Sequence, residues 1–218
     1  MTRLISEVYI DDVALIFMCR KDVTIGAVEK LLRIMEKRGF VYTKSYISKK
    51  EPFVYVDGRD LRTDISDSDV NNWGFSFSYK DLGFFVNFFQ DNGYFSLTIP
   101  IHRSYFLNEK AKTAVAQAKE VFTFIVKNFA DYILFAAADQ GGYIFTEGNE
   151  IEDVYRNLTI SPDAFWLYYL KRDYWPLLKT DVKKILFTDK INLDKGVIIQ
   201  SAEYPHSPGI ERYFENGG

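Results

Sequence analysis

The sequence predicts an α+β fold: a single, mostly antiparallel sheet, two main helices packed on one face, and a smaller helix/hairpin C-terminal part. Three observations carry this. Ala111, Val115, Ala118, Phe122, Ile125 and Phe129 recur at steps of four and three, which makes one apolar stripe on a long helix. Trp73, Phe75, Phe77 and Tyr79 alternate with small or polar residues, the pattern of a half-buried strand. Asp91-Asn92-Gly93 separates two strand-like runs, which is hairpin chemistry. Strand, helix and strands followed by helix and strand pack most simply as one sheet with both helices on one side.

The elements follow in order. Val8 to Arg20 reads as a strand, buried on both faces from Ala14 to Cys19. Thr24 caps a helix that runs to about Arg38, with Gly39 as its stop. Phe40 to Ser48 and Phe53 to Asp57 are strands, and residues 58–72 form a polar, acidic loop. Phe84 to Phe89 and Tyr94 to Ile99 make the hairpin, which Pro100 ends. The stripe helix spans about Asn108 to Asn128, and Asp131 to Ala138 follows as a buried strand. The stripe should lie on the sheet that carries Ile16 and Leu134, with Lys119 and Lys127 facing solvent. Residues 139–160 show no strong period, and Ser161-Pro162-Asp163 reads as a helix start. Ile191 to Leu193 and Val197 to Ile199 flank Asp194-Lys195-Gly196 as a second hairpin. With 218 residues and no linker, residues 1–218 form one domain, 203–218 being a loose tail.

Composition excludes several functions. A net charge of −3 argues against a general nucleic-acid binder, which must displace counterions with a cationic surface. Phe85-Val86 and Phe88 match only the end of an RNA-recognition signature, so they read as core. The single cysteine, Cys19, forbids an internal disulfide and a multi-thiolate zinc site. His102 and His206 lack a second histidine at helical spacing, and no glycine-rich phosphate loop occurs. Asp67, Asp69 and Asn71 mimic a calcium loop, but Asn72 and Ser78 stand where glycine and a bidentate acid are needed. No catalytic residue, metal site or cofactor is expected. No signal peptide or membrane span is legible, so a soluble, cytoplasmic protein is expected.

Two C-terminal segments carry a resemblance. Phe165-Trp166-Leu167-Tyr168-Tyr169 is one. Asp194-Lys195-Gly196-Val197-Ile198-Ile199-Gln200, followed by Pro205, is the other. Together they resemble the C-terminal part of α+β immunity proteins from bacterial polymorphic-toxin systems. Those carry a Trp-Leu-Asn-aromatic segment, then a glycine turn, an aliphatic run ending in Gln and a nearby proline. Tyr168 stands here in place of the Asn. The resemblance implies a non-catalytic protein that binds a toxin and blocks it.

Charge patterning suggests where. Residues 51–72 and 139–163 are rich in Asp and Glu and poor in Lys and Arg. Carboxylates that occupy a basic toxin's cationic site would dock through Glu147, Glu150, Glu152 and Asp153, and secondarily Asp64, Asp67 and Asp69. Two alternatives stand beside this. A metal-dependent hydrolase or nuclease would use Asp163, Asp181 and Lys183, two carboxylates for the cation and a lysine for the attacking water. A structural or homo-oligomerising domain would use the aromatic excess of 19 Phe, 15 Tyr and 3 Trp.

Overall fold

The structure is a computed structural model. It describes residues 12–48, 54–56, 72–91, 94–107, 109–140, 150–158, 165–179, 181–182, 185 and 187–205. Among the described residues, ten strands form one sheet, and every pairing between them is antiparallel.

Strand β1 (Asp12–Cys19) is central, between β6 (Tyr94–His102) and β7 (Ile133–Gln140). Its run Val13 to Cys19 is buried throughout, as a strand covered on both faces requires. On the β6 side follow β5 (Leu82–Asp91), β4 (Asn72–Tyr79), β2 (Val41–Ser48) and the short β3 (Val54–Val56). On the β7 side follow β8 (Leu167–Lys171), β10 (Gly196–Gln200) and, at the edge, β9 (Asp189–Leu193).

Helices α1 (Ile25–Lys37) and α2 (Ala111–Phe129) pack into one cluster on one face, with Leu15, Phe17, Phe75, Phe77, Phe84, Val86 and Phe88. Thr24 caps α1 by accepting the Ala27 N–H, and Gly39 follows it at φ 88°. Much of the aromatic excess is spent in this layer. Phe122 of α2 meets Phe17 at 5.1 Å, and Phe40 meets Phe124 at 4.9 Å. All six stripe residues of α2 are buried. The helix does lie on the sheet of Ile16 and Leu134, but on the other side from those two. Phe17 and Ile133 face it, while Ile16 alternates away and Leu134 belongs to a second cluster. Lys127 is exposed as expected. Lys119 is not: it crosses to the C-terminal strands, donating to Asp189 at 2.6 Å and to Gln200 at 2.7 Å.

The second cluster, on the opposite face, holds Met18, Phe135, Tyr168, Leu170, Val197 and Ile199. A short helix, α3 (Ile151–Asn157), and a 3-10 segment, Arg172–Leu177, pack against it. Residues 139–160, where the sequence shows no strong period, contain α3. One sequence expectation is corrected here. The helix expected from Ser161-Pro162-Asp163 does not continue through the aromatics, because Leu167–Lys171 is β8; residues 161–164 themselves lie outside the described ones. Positions 166–170 are all buried, so neither period could be read from them. The C-terminal part thus extends the main sheet through β8, β10 and β9. Tyr204 packs on the main cluster and Pro205 is buried, so the chain stays attached past Glu203. Residues 206–218 lie outside the described ones.

Tyr155 ties α3 to the sheet. The register shifts so that Met18 opposes Phe135 and Cys19 opposes Ile133, leaving Leu134 as an extra residue in β7. The Tyr155 hydroxyl donates to the Leu134 carbonyl and accepts the Lys171 N–H, both at 2.8 Å. It serves a backbone acceptor and a backbone donor that would otherwise be unpaired in the interior. Tyr155→Phe is therefore expected to cost about 2 kcal/mol, since both backbone groups stay buried and lose their partner. Urea denaturation measures this. A variant as stable as the parent would show that water replaces the hydroxyl.

Candidate functional site

The region that gathers expected site residues is the contact of α3 with the 3-10 segment. Glu150 occupies the N-cap position of α3 without a side-chain cap bond. Glu152 and Asp153 sit in its first turn, where negative charge complements the helix dipole. Asp153 also pairs with Arg156 at 2.8 Å. Two of the expected docking acids thus have a local structural role. Glu150 is exposed, and Glu152 and Asp153 are half-buried. Glu147, Asp64, Asp67 and Asp69 lie outside the described residues.

The 3-10 segment supplies what sequence reasoning missed. None of its six residues is buried, although it contains a tyrosine, a tryptophan and a leucine. The Tyr174 ring stacks on Tyr155 with centroids 5.0 Å apart and planes at 26°. Trp175 donates its indole N–H to the Leu170 carbonyl at 3.2 Å, and the Arg172 guanidinium lies 5.6 Å from its ring centre. Burial raises the pKa of the Tyr174 hydroxyl, and Glu152 and Asp173 raise it further, while Arg20 opposes them. Acids from two elements therefore act on one hydroxyl, that of a half-exposed tyrosine. The available signal was Arg172-Asp173-Tyr174-Trp175-Pro176: charge, adjacent aromatics and a proline are unusual inside a core strand.

Other candidates resolve into structural roles. The Cys19 thiol is fully buried and lies 3.8 Å from the Phe17 carbonyl, and burial pushes its pKa well up, away from thiolate chemistry. His102 accepts the Ser104 N–H on Nδ1 at 3.3 Å, with the Ser104 Oγ 2.7 Å away, and so caps the turn Arg103–Phe106. Val86 and Phe88 are core residues, whereas Phe85 is 39% exposed. Burial raises Tyr169 to about 12 and lowers Lys171, which is only 9% exposed. Asp181 is exposed, and its expected companions Asp163 and Lys183 lie outside the described residues. Among the described residues, no three His, Cys, Asp or Glu side chains are grouped to hold a metal ion. No described helix is long and apolar enough to cross a membrane.

Comparison with known proteins adds no relative. No family model matches the chain, and neither the curated proteins nor the solved structures give a match.

Proposed function

We propose that the chain is a non-catalytic binding protein of the immunity or inhibitor type, acting in the cytoplasm by covering a basic toxin domain. One observation carries the reading. The two segments that resemble immunity proteins are neighbours in space, as strands β8 and β10. Their register sets Leu167 opposite Gln200, Tyr168 opposite Ile199, Tyr169 opposite Ile198 and Leu170 opposite Val197. The Ser201 N–H donates to the Trp166 carbonyl at 3.0 Å, which extends the pairing to the tryptophan. Two separate stretches of sequence are therefore one structural unit. The acids of α3 lie on the face that this unit shares with the 3-10 segment.

The test is co-expression with the product of the adjacent gene as the candidate toxin, followed by affinity capture. The chain should relieve growth inhibition, and reversing Glu147, Glu150, Glu152 and Asp153 to Lys should weaken capture at least about tenfold, while thermal melts still show a cooperative fold, lowered only by the lost helix-dipole and Arg156 interactions of α3. Parental affinity should fall as salt rises, since exposed charge steers the encounter. Unchanged affinity after charge reversal would move the docking surface elsewhere. Growth inhibition that the parent never relieves would end the inhibitor reading.

A further inference from the structure

Strand β9 ends the sheet on its side, with β10 as its one neighbour among the described residues. The connection to β10 is the two-residue turn Asp194-Lys195, so Leu193 and Gly196 exchange hydrogen bonds. The alternation of an antiparallel ladder then puts Ile191 with Ile198 and Asp189 with Gln200 as the next bonded pairs. Lys190 and Asn192 are left with their N–H and C=O groups turned outward, away from β10. A side chain already answers one of these groups: the Lys190 N–H donates to Oδ1 of Asp189 at 2.7 Å. Asp189 is itself anchored. Its Oδ2 accepts from the Lys119 Nζ of α2 at 2.6 Å, and Lys119 donates in turn to Oε1 of Gln200 at 2.7 Å. The Gln200 amide is oriented by its own bond to the Ala202 carbonyl, at 2.8 Å. A carboxylate held from a helix thus sits on the first outward N–H of an open strand.

An open edge is a template for another strand, and β9 matches itself. About a two-fold axis at Ile191, Lys190 of one copy faces Asn192 of the other, and each such pair can exchange both its hydrogen bonds. Ile191 and Leu193, only half-buried against the main cluster, would then cover their counterparts. Asp189 stands in the way. Its Oδ1 holds the Lys190 N–H that the second copy's Asn192 carbonyl needs, and symmetry makes the obstruction act twice. We propose that Asp189, anchored by Lys119, guards the open edge of the sheet and keeps a second copy of the chain from adding to it through β9. The guard operates whatever partner the chain binds.

Sedimentation velocity of the full chain over a concentration series, with amide hydrogen exchange of β9, tests this. In the parent, the Asn192 amide should exchange fast at every concentration, while those of Ile191 and Leu193, in the ladder, exchange slowly. Asp189→Ala should double the mean particle mass relative to the parent as concentration rises, and should slow exchange at Asn192. Asp189→Asn keeps an acceptor for the Lys190 N–H and should associate less than Asp189→Ala. Adding Asn192→Pro to Asp189→Ala should restore the parent's mass, because proline removes an outward N–H that the β10 ladder does not use. An Asp189→Ala chain with the parent's mass would overturn the guard. So would association that Asn192→Pro leaves in place, which would mark loosened core and not edge pairing, and so would a parent whose Asn192 amide becomes protected as concentration rises.

Discussion

Gly196→Ala is expected to destabilise the protein by at least about 3 kcal/mol, the upper end of what overpacking costs. A Cβ on Gly196 would stand 2.4 Å from the Leu170 carbonyl oxygen and 2.8 Å from Cε2 of Tyr169. The first obstacle is backbone, in the partner strand of the β8–β10 ladder, so no rotamer change removes it. Relief requires the two strands to part, and that loosens Val197, Ile198 and Ile199, all of which are buried. Gly26 is the matched control. A Cβ there meets only the Thr24 Oγ1, at 3.9 Å, and Gly26→Ala in α1 should be neutral or stabilising by up to about 1 kcal/mol. Thermal and urea melts of both variants decide it. A Gly196→Ala protein within about 1 kcal/mol of the parent would mean that the strands stand farther apart than described.

Gly196 also shows how sequence reasoning can find the right residue for the wrong reason. It reads as part of a turn, and the hairpin is there, but the turn is Asp194-Lys195 and Gly196 lies within β10. What demands glycine is a strand two elements away, which no local pattern reveals. The long helix was legible because six apolar residues repeat over its full length. The Asp91-Asn92-Gly93 hairpin was legible because its turn chemistry is local; Asp91 does oppose Tyr94. Strand β8 was not, because a segment buried on both faces loses the alternation that marks a strand. Helix α3 was not, because its stripe is too short to establish a period, and its main contact is made by the Tyr155 hydroxyl. The same divide runs through the candidate site. Its acids are visible as composition, but that Asp153 is paired depends on the placement of Arg156, and the setting of Tyr174 depends on a stack with Tyr155.

Phe122→Ala should cost about 3–5 kcal/mol, the range for truncating a buried aromatic. Phe122 is fully buried, its ring meets Phe17, and Ala118, Val121, Ile125 and Val126 around it on α2 are buried as well. The alanines at 111, 114 and 118 let the first half of the helix sit close to the sheet, so the gap left by the ring lies between two rigid layers and cannot collapse. The outward positions set the scale. Lys127→Ala should move stability by less than about 0.5 kcal/mol. Lys119→Ala should cost up to about 1 kcal/mol, because its bonds to Asp189 and Gln200 are partly exposed to solvent. The Lys119 hydrogen bond is the main cause holding the Asp189 carboxyl below its ordinary pKa, with the Lys190 N–H second. A lowered carboxyl stabilises the fold above its unfolded pKa of about 3.9, and the gain disappears as pH falls through the folded value. Melts of the parent and Lys119→Ala should therefore differ at neutral pH and converge in acid, while Phe122→Ala remains damaged at both. If Lys119→Ala were as harmful as Phe122→Ala at every pH, α2 would be rotated about its axis, and Phe17 could not be the surface it packs on.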